Sequence, residues 1–258
     1  MIDPVLWNLL PIIRRARGDR LYGNNERHWV DFWKQDGAWL LGRRPDRAAK
    51  EWKNQLDKGL GGSFPSLWPQ RAEPLVRALV PGSDAVRLWD RGGDVLSLPS
   101  WRPWTEAAEA EIREPCRVRL PSGPSCLAAV AYPKAWSQAL PPHAVSAPTD
   151  AAAIVKAAAL LLRAHRNPAQ TAVRERSRQE FDRRIAPLGV FVRDGQWFRF
   201  AGDAPLYKGL FSALLESGFI LAPHPQSLSV LPFELSDGEW KSWAKALKAW
   251  KESVEWNS

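Results

Sequence analysis

Four histidines, two cysteines and a thin scatter of lysines are the residues with which this chain could do chemistry. His28, His143, His165 and His224 share no metal-ligand spacing, so no metal site is expected. Cys116 and Cys126 form no ligand-spaced motif and fit reduced thiols. There is no Walker loop, no dinucleotide fingerprint and no nucleophile elbow. Nothing selects a hydrolytic triad from the scattered Ser, His and Asp residues. Between Lys58 and Lys156 stands one lysine, Lys134, in Tyr132-Pro133-Lys134. Gly92-Gly93, with Asp90-Arg91 before it and Asp94 after it, reads as a hairpin turn between apolar runs at 85–89 and 95–98.

The rest of the chain has to position these groups. Its 258 residues, 45% hydrophobic and 25% charged, allow one large domain or two small lobes. No apolar run approaches membrane-spanning length, and the start at Met1 lacks a signal-peptide pattern. A cytoplasmic protein with no membrane partner is expected. The net charge of +8 raises the prospect of a polyanionic partner. However, Arg174, Arg176, Arg178, Arg183 and Arg184 alternate with glutamates, which favours a solvated, salt-bridged face over a nucleic-acid stripe. Fifteen tryptophans stand against one methionine. Their helical and strand spacing assigns most of them to cores and interfaces.

The pattern predicts a helix over 3–17, bent at Pro11, then strands over 28–33 and 37–42. Helices follow at 45–58 and 69–80, a strand at 85–89, and two more strands at 116–120 and 126–131. A helix at 151–164, alanine- and leucine-rich nearly all round, reads as buried, with Thr149 or Asp150 as its N-cap. An arginine-rich helix at 168–185 leads to alternating runs on either side of Asp194-Gly195, a hairpin signal. A helix at 206–216 stops at Gly218, before apolar runs at 219–222 and 228–231. Ser236-x-x-Glu239 is a capping box for the last helix, and Trp240, Trp243, Leu247, Trp250 and Val254 form its apolar stripe.

Several stretches share an order and a spacing. They are Trp29-Val30-Asp31-Phe32 with Leu40-Leu41-Gly42 and Pro45, then Ser63-Phe64-Pro65 with Glu73-Pro74-Leu75, and finally Leu214-Leu215-Glu216-Ser217-Gly218-Phe219-Ile220-Leu221-Ala222-Pro223. Together they resemble the class III, fold-type I, pyridoxal-phosphate-dependent aminotransferases, and most closely the glutamate-1-semialdehyde aminomutase-like branch. The resemblance covers roughly 29–91 and 150–251, with a faint link at 123–140. It implies an α+β or α/β fold: a small-domain-like lobe of mostly antiparallel sheet with helices packed on it, and a much reduced remnant of the large domain. The implied parts are 1–68, the N-terminal segment of the small domain; 69–149, the large-domain remnant; and 150–258, the C-terminal small domain.

The resemblance also shows what is missing. Where the family has a Ser-Gly-Thr-Glu phosphate loop opening a helix, this chain has Arg91, Gly92 and Gly93 between two aspartates that would repel a phosphate dianion. Where the family places its aldimine-forming lysine, ahead of a Gly-Gly-Gly-x-Pro motif, this chain has Arg117-Val118-Arg119-Leu120-Pro121. Arginine cannot replace that amine. Lys134 comes after Ser122-Gly123-Pro124-Ser125, the relic of that motif, and is the weak alternative. The span between the two relics is too short for a seven-stranded large domain. The expectation is a truncated, non-catalytic relative with no cofactor, acting as a structural or interaction module and self-associating as a dimer. Pyridoxal phosphate enters only under a second reading, a residual aminotransferase or cofactor binder. A basic nucleic-acid or polyanion-binding module is the third.

Overall fold

The computed structural model describes residues 2–24, 27–43, 48–62, 65–89, 102–103, 112–121, 128–140 and 147–254. The chain divides into two compact units, one made of residues 1–43 and 168–258, the other of residues 44–167. The breaks fall at 43/44 and 167/168, not at the expected 68/69 and 149/150. The reason is packing: helices α3 (Ala48–Asp57) and α4 (Trp68–Leu79) both lie on α5 (Pro148–His165), which draws all three into the second unit.

The first unit is a lobe of two small sheets with helices packed on them. One sheet has the order β1-β2-β3-β10: β1 (Arg15–Arg17), β2 (Arg20–Tyr22), β3 (His28–Asp31) and β10 (Phe219–Ile220). β10 joins β3 in parallel, and the other neighbours are antiparallel. The expected helix over 3–17 is a single turn, α1 (Pro4–Trp7), capped by the Asp3 carboxylate. Pro11 removes a helix donor, and beyond it the chain is drawn into strand pairing, Arg15 opposite Tyr22. The strand expected over 37–42 does not form. In its place Lys34, Gln35 and Asp36 take positive φ values of 50°, 51° and 55°, forming the short turn α2 (Lys34–Gly37).

The second sheet of this unit, β11-β9-β8, contains the hairpin β8 (Phe191–Asp194) and β9 (Trp197–Phe200), with β11 (Ser229–Val230) on its edge. Helices α6 (Pro168–Arg184), α7 (Ala204–Glu216) and α8 (Asp237–Ser253) complete the unit. Trp243 of α8 sits at the centre of the core, with the rings of Phe32, Phe181, Phe191, Phe198, Phe219 and Trp240 around it. Burying that many aromatic faces in one cluster is the main apolar contribution to this unit.

The second unit carries one described sheet, in the order β4-β7-β6-β5: β4 (Ala85–Trp89), β5 (Arg102–Pro103), β6 (Cys116–Arg119) and β7 (Ala128–Tyr132). Only β5 against β6 is parallel. α5 is buried along most of its length, as its composition predicts. Its cap differs from expectation. Ala147 is the N-cap and Pro148 the first helical residue, while Asp150 in the first turn accepts a hydrogen bond from Trp52 Nε1 at 3.0 Å. Pro at the first helical position needs no donor, so the side-chain cap is dispensable. Cys116 is buried on β6, and Cys126 lies outside the described residues.

Candidate functional site

The expected chemistry centres on the sheet of the second unit. β4 leads out at Trp89 toward Arg91, Gly92 and Gly93, which lie outside the described residues. β7 runs antiparallel to β4, with Ala85 opposite Tyr132 and Trp89 opposite Ala128. The chain therefore leaves β7 at the end of the sheet where β4 begins. Lys134 follows there, in a 3-10 turn (Lys134–Trp136). Its backbone N–H donates to Asp84 Oδ2 at 2.7 Å, and the Asp84 N–H donates to Tyr132 O at 3.1 Å. Lys134 is thus tied to the residue just before β4. From Ala85 to Trp89 the strand advances by four rises, about 13 Å.

Among the described residues, the neighbours of Lys134 do not build a cofactor cradle. Its side chain is exposed. Arg87 turns toward the same end of the sheet, donating to Leu140 O at 2.7 Å and Ser137 O at 3.1 Å, and it lies over the Tyr132 ring. Those bonds cap the carbonyls of the turn that follows Lys134. An aldimine lysine needs an amine screened from water beside its cofactor. This amine is exposed to water beside the start of β4. The described residues do not fit pyridoxal phosphate.

An open groove of about 480 Å³ in the same unit is lined by Leu75, Ala159, Leu162, Arg163, Arg166 and Asn167. Its two arginines sit at the C-terminal end of α5, where the last carbonyls carry partial negative charge. They complement that helix end, and the same carbonyls disfavour an anion beside them. Among the described residues no group of three or more His, Cys, Asp or Glu could hold a metal ion.

The motif residues of the N-terminal segment do meet, in the first unit, as a buried charge cluster. Asp31 and Lys34 are fully buried, and Asp19 nearly so. Lys34 Nζ pairs with Asp19 Oδ1. Asp31 accepts the Lys34 backbone N–H at 2.8 Å through Oδ1, and Arg43 Nε at 2.8 Å through Oδ2. The second Asp19 oxygen accepts the Phe233 N–H at 3.1 Å. Both buried carboxylates have a cationic partner and a further hydrogen bond, as burial of ions requires. Side chains also brace the left-handed turn: Trp33 Nε1 donates to Asp36 Oδ1 at 2.9 Å, and Trp39 Nε1 to Gln35 Oε1 at 2.7 Å. The cluster is a structural clasp. Sequence reasoning found Asp31 but missed Asp19 and Lys34, because nothing local marks either as buried.

The arginine-rich helix is largely neutralised. Arg183 and Arg184 both bind Glu180, and Arg184 also binds Asp237. Those hydrogen bonds, led by Arg183, hold the Glu180 carboxyl below its ordinary range. Arg193 pairs with Asp182.

No protein-family model matches the chain. Among curated proteins, a glutamate-1-semialdehyde 2,1-aminomutase of Ruminiclostridium cellulolyticum is 30% identical over 84 residues, which is 33% of this chain but only 19% of the aminomutase. An uncharacterized protein of Treponema pallidum is 25% identical over 276 residues, covering 85% of this chain and 88% of that protein. Among solved structures, an omega-transaminase from Sphaerobacter thermophilus matches with a TM-score of 0.67 at 11% identity, over 95% of this chain and 92% of that one. An N-acetylornithine aminotransferase from Stenotrophomonas maltophilia matches with 0.61 at 15% identity, over 96% and 97%. At such identities the likeness is one of fold.

Proposed function

We propose that this chain, which has the fold of the class III aminotransferases, is a non-catalytic version of that fold that works as a structural or interaction module and self-associates. One observation carries the reading. Lys134, the one lysine between Lys58 and Lys156, has an exposed side chain, and its backbone N–H is tied to Asp84 just before β4. An amine open to water is a poor aldimine-forming group. The pairing of Arg183, Arg184 and Arg193 with carboxylates favours an interaction module over a polyanion-binding one.

Incubation with pyridoxal phosphate followed by borohydride tests the reading. No aldimine absorbance should develop, and no cofactor should be fixed to the chain. A band that borohydride fixes, and that Lys134→Ala abolishes, would establish the residual-enzyme reading in its place.

A further inference from the structure

We infer that Lys34 and Asp19 condense into an amide, so that the folded first unit carries a covalent bond between these two side chains. The groups meet away from water: Lys34 is fully buried and Asp19 nearly so, and Lys34 Nζ pairs with Asp19 Oδ1. An ammonium group has three N–H donors to satisfy. Among the described residues, Asp19 Oδ1 is the one acceptor that Nζ meets. A buried ion with unmet donors is costly, whereas an amide N–H asks for a single acceptor. Burial therefore favours the neutral, joined product over the ion pair from which it forms.

The surrounding backbone fixes both reactants. The Arg43 N–H donates to Gly18 O at 2.6 Å, and the Asp31 N–H donates to Asp19 O at 2.8 Å. Asp31 Oδ1 holds the Lys34 N–H at 2.8 Å. A Cβ on Gly42 would lie 2.9 Å from Asp19 Oδ1, so the chain itself closes over that oxygen. Holding an amine against a carboxyl in this way turns an encounter in solution into an intramolecular step. The other carboxyl oxygen, Oδ2, accepts the Phe233 N–H at 3.1 Å, a donor placed where negative charge develops during attack on Cγ.

The step balances without any further reactant. One proton passes from Nζ to Oδ1 within the pair, leaving a neutral amine and a neutral acid. The Nζ lone pair adds to Cγ, and the Phe233 N–H holds the charge that grows on Oδ2. The Cγ–Oδ1 bond then breaks, and Oδ1 leaves as water with the acid proton and a second proton from Nζ. Neither carbon nor nitrogen changes oxidation state. The product closes residues 19–34 into a loop and locks the left-handed turn that begins at Lys34.

The test is mass spectrometry of the full chain, purified folded and then denatured. The wild type should be lighter than its sequence requires by one water. Its tryptic digest should show no cleavage after Lys34, and residues 18–20 should appear joined to residues 28–43. Lys34→Arg keeps the cation but removes the nucleophilic amine. That variant, with thermal melting to confirm its fold, should have its full mass. A wild type of full mass that trypsin cuts after Lys34 overturns the inference. So does a loss of water that persists in Lys34→Arg, or one without joined peptides, since an aspartate that cyclises onto its own backbone loses water too. If Lys34→Arg does not fold, the joined peptides of the wild type decide the question by themselves.

Discussion

Arg20 and Glu239, 219 residues apart, form a two-pronged ion pair: Nη2 of Arg20 reaches the two carboxylate oxygens at 2.7 and 2.8 Å, and Nε adds a bond of 3.1 Å. The same carboxylate accepts the Ser236 N–H at 2.8 Å and completes the capping box of α8. One side chain therefore fastens the first hairpin to the start of the last helix. Burial acts to raise the Glu239 pKa, but the Ser236 backbone and Arg20 outweigh it, and the net shift is downward.

That shift sets the sign of a pH effect. A carboxyl whose pKa is lower folded than unfolded contributes stability above its unfolded value, about 4.3, and loses it as pH falls through the folded value. Denaturant midpoints of the wild type should fall below about pH 4.3. Glu239→Gln should flatten that fall, and Glu239→Ala should cost about 1–2 kcal/mol at pH 7. An unchanged acid profile in Glu239→Gln would show that other carboxylates control it.

Gly37→Ala should cost about 2–4 kcal/mol, read from urea unfolding. Gly37 sits at φ +83°, and a Cβ there would lie 2.0 Å from the Trp197 ring. The ring is buried in β9 and has little freedom to retreat. A stability equal to wild type would mean that the left-handed turn rearranges freely.

Trp243→Ala should cost about 3–5 kcal/mol in the same measurement. It removes the ring against which Phe32, Phe198 and Phe219 pack. Trp243→Phe should cost much less, because the buried Trp243 Nε1 has no hydrogen-bond acceptor to lose. Equal losses in the two variants would indicate that the indole N–H matters after all.

Much of the first unit was legible in the sequence. The Asp194-Gly195 hairpin and the Ser236–Glu239 capping box form as read, because turn chemistry and caps are local. The Trp240, Trp243, Leu247 and Trp250 stripe is buried, as its spacing predicts. The N-terminal segment was misread because Leu6, Leu9 and Ile13 keep a helical spacing that Pro11 and pairing with β2 override. The turn at Lys34–Asp36 was invisible: none of the three residues advertises a positive φ, and the contacts that hold it come from Asp19 and Trp39. The allocation of α3 and α5 to one unit was hidden for a related reason, since it depends on contacts between residues about a hundred apart. At the candidate site, the single lysine between Lys58 and Lys156 is read from the sequence itself. That Lys134 lies at the far end of β4 became evident only from the register of β4 against β7.

The first unit is assembled from two separated stretches, 1–43 and 168–258. Its central pairing joins Val30 to Phe219, and its core joins Phe32 to Trp243. During synthesis, therefore, β3 has no parallel neighbour and Phe32 no indole to pack on until nearly the whole chain has left the ribosome. The helices and strands described within residues 44–167 can meet one another much earlier. The middle of the chain can order first, while the apolar N-terminal segment waits exposed for its other half, which makes that waiting interval the point of greatest exposure to aggregation.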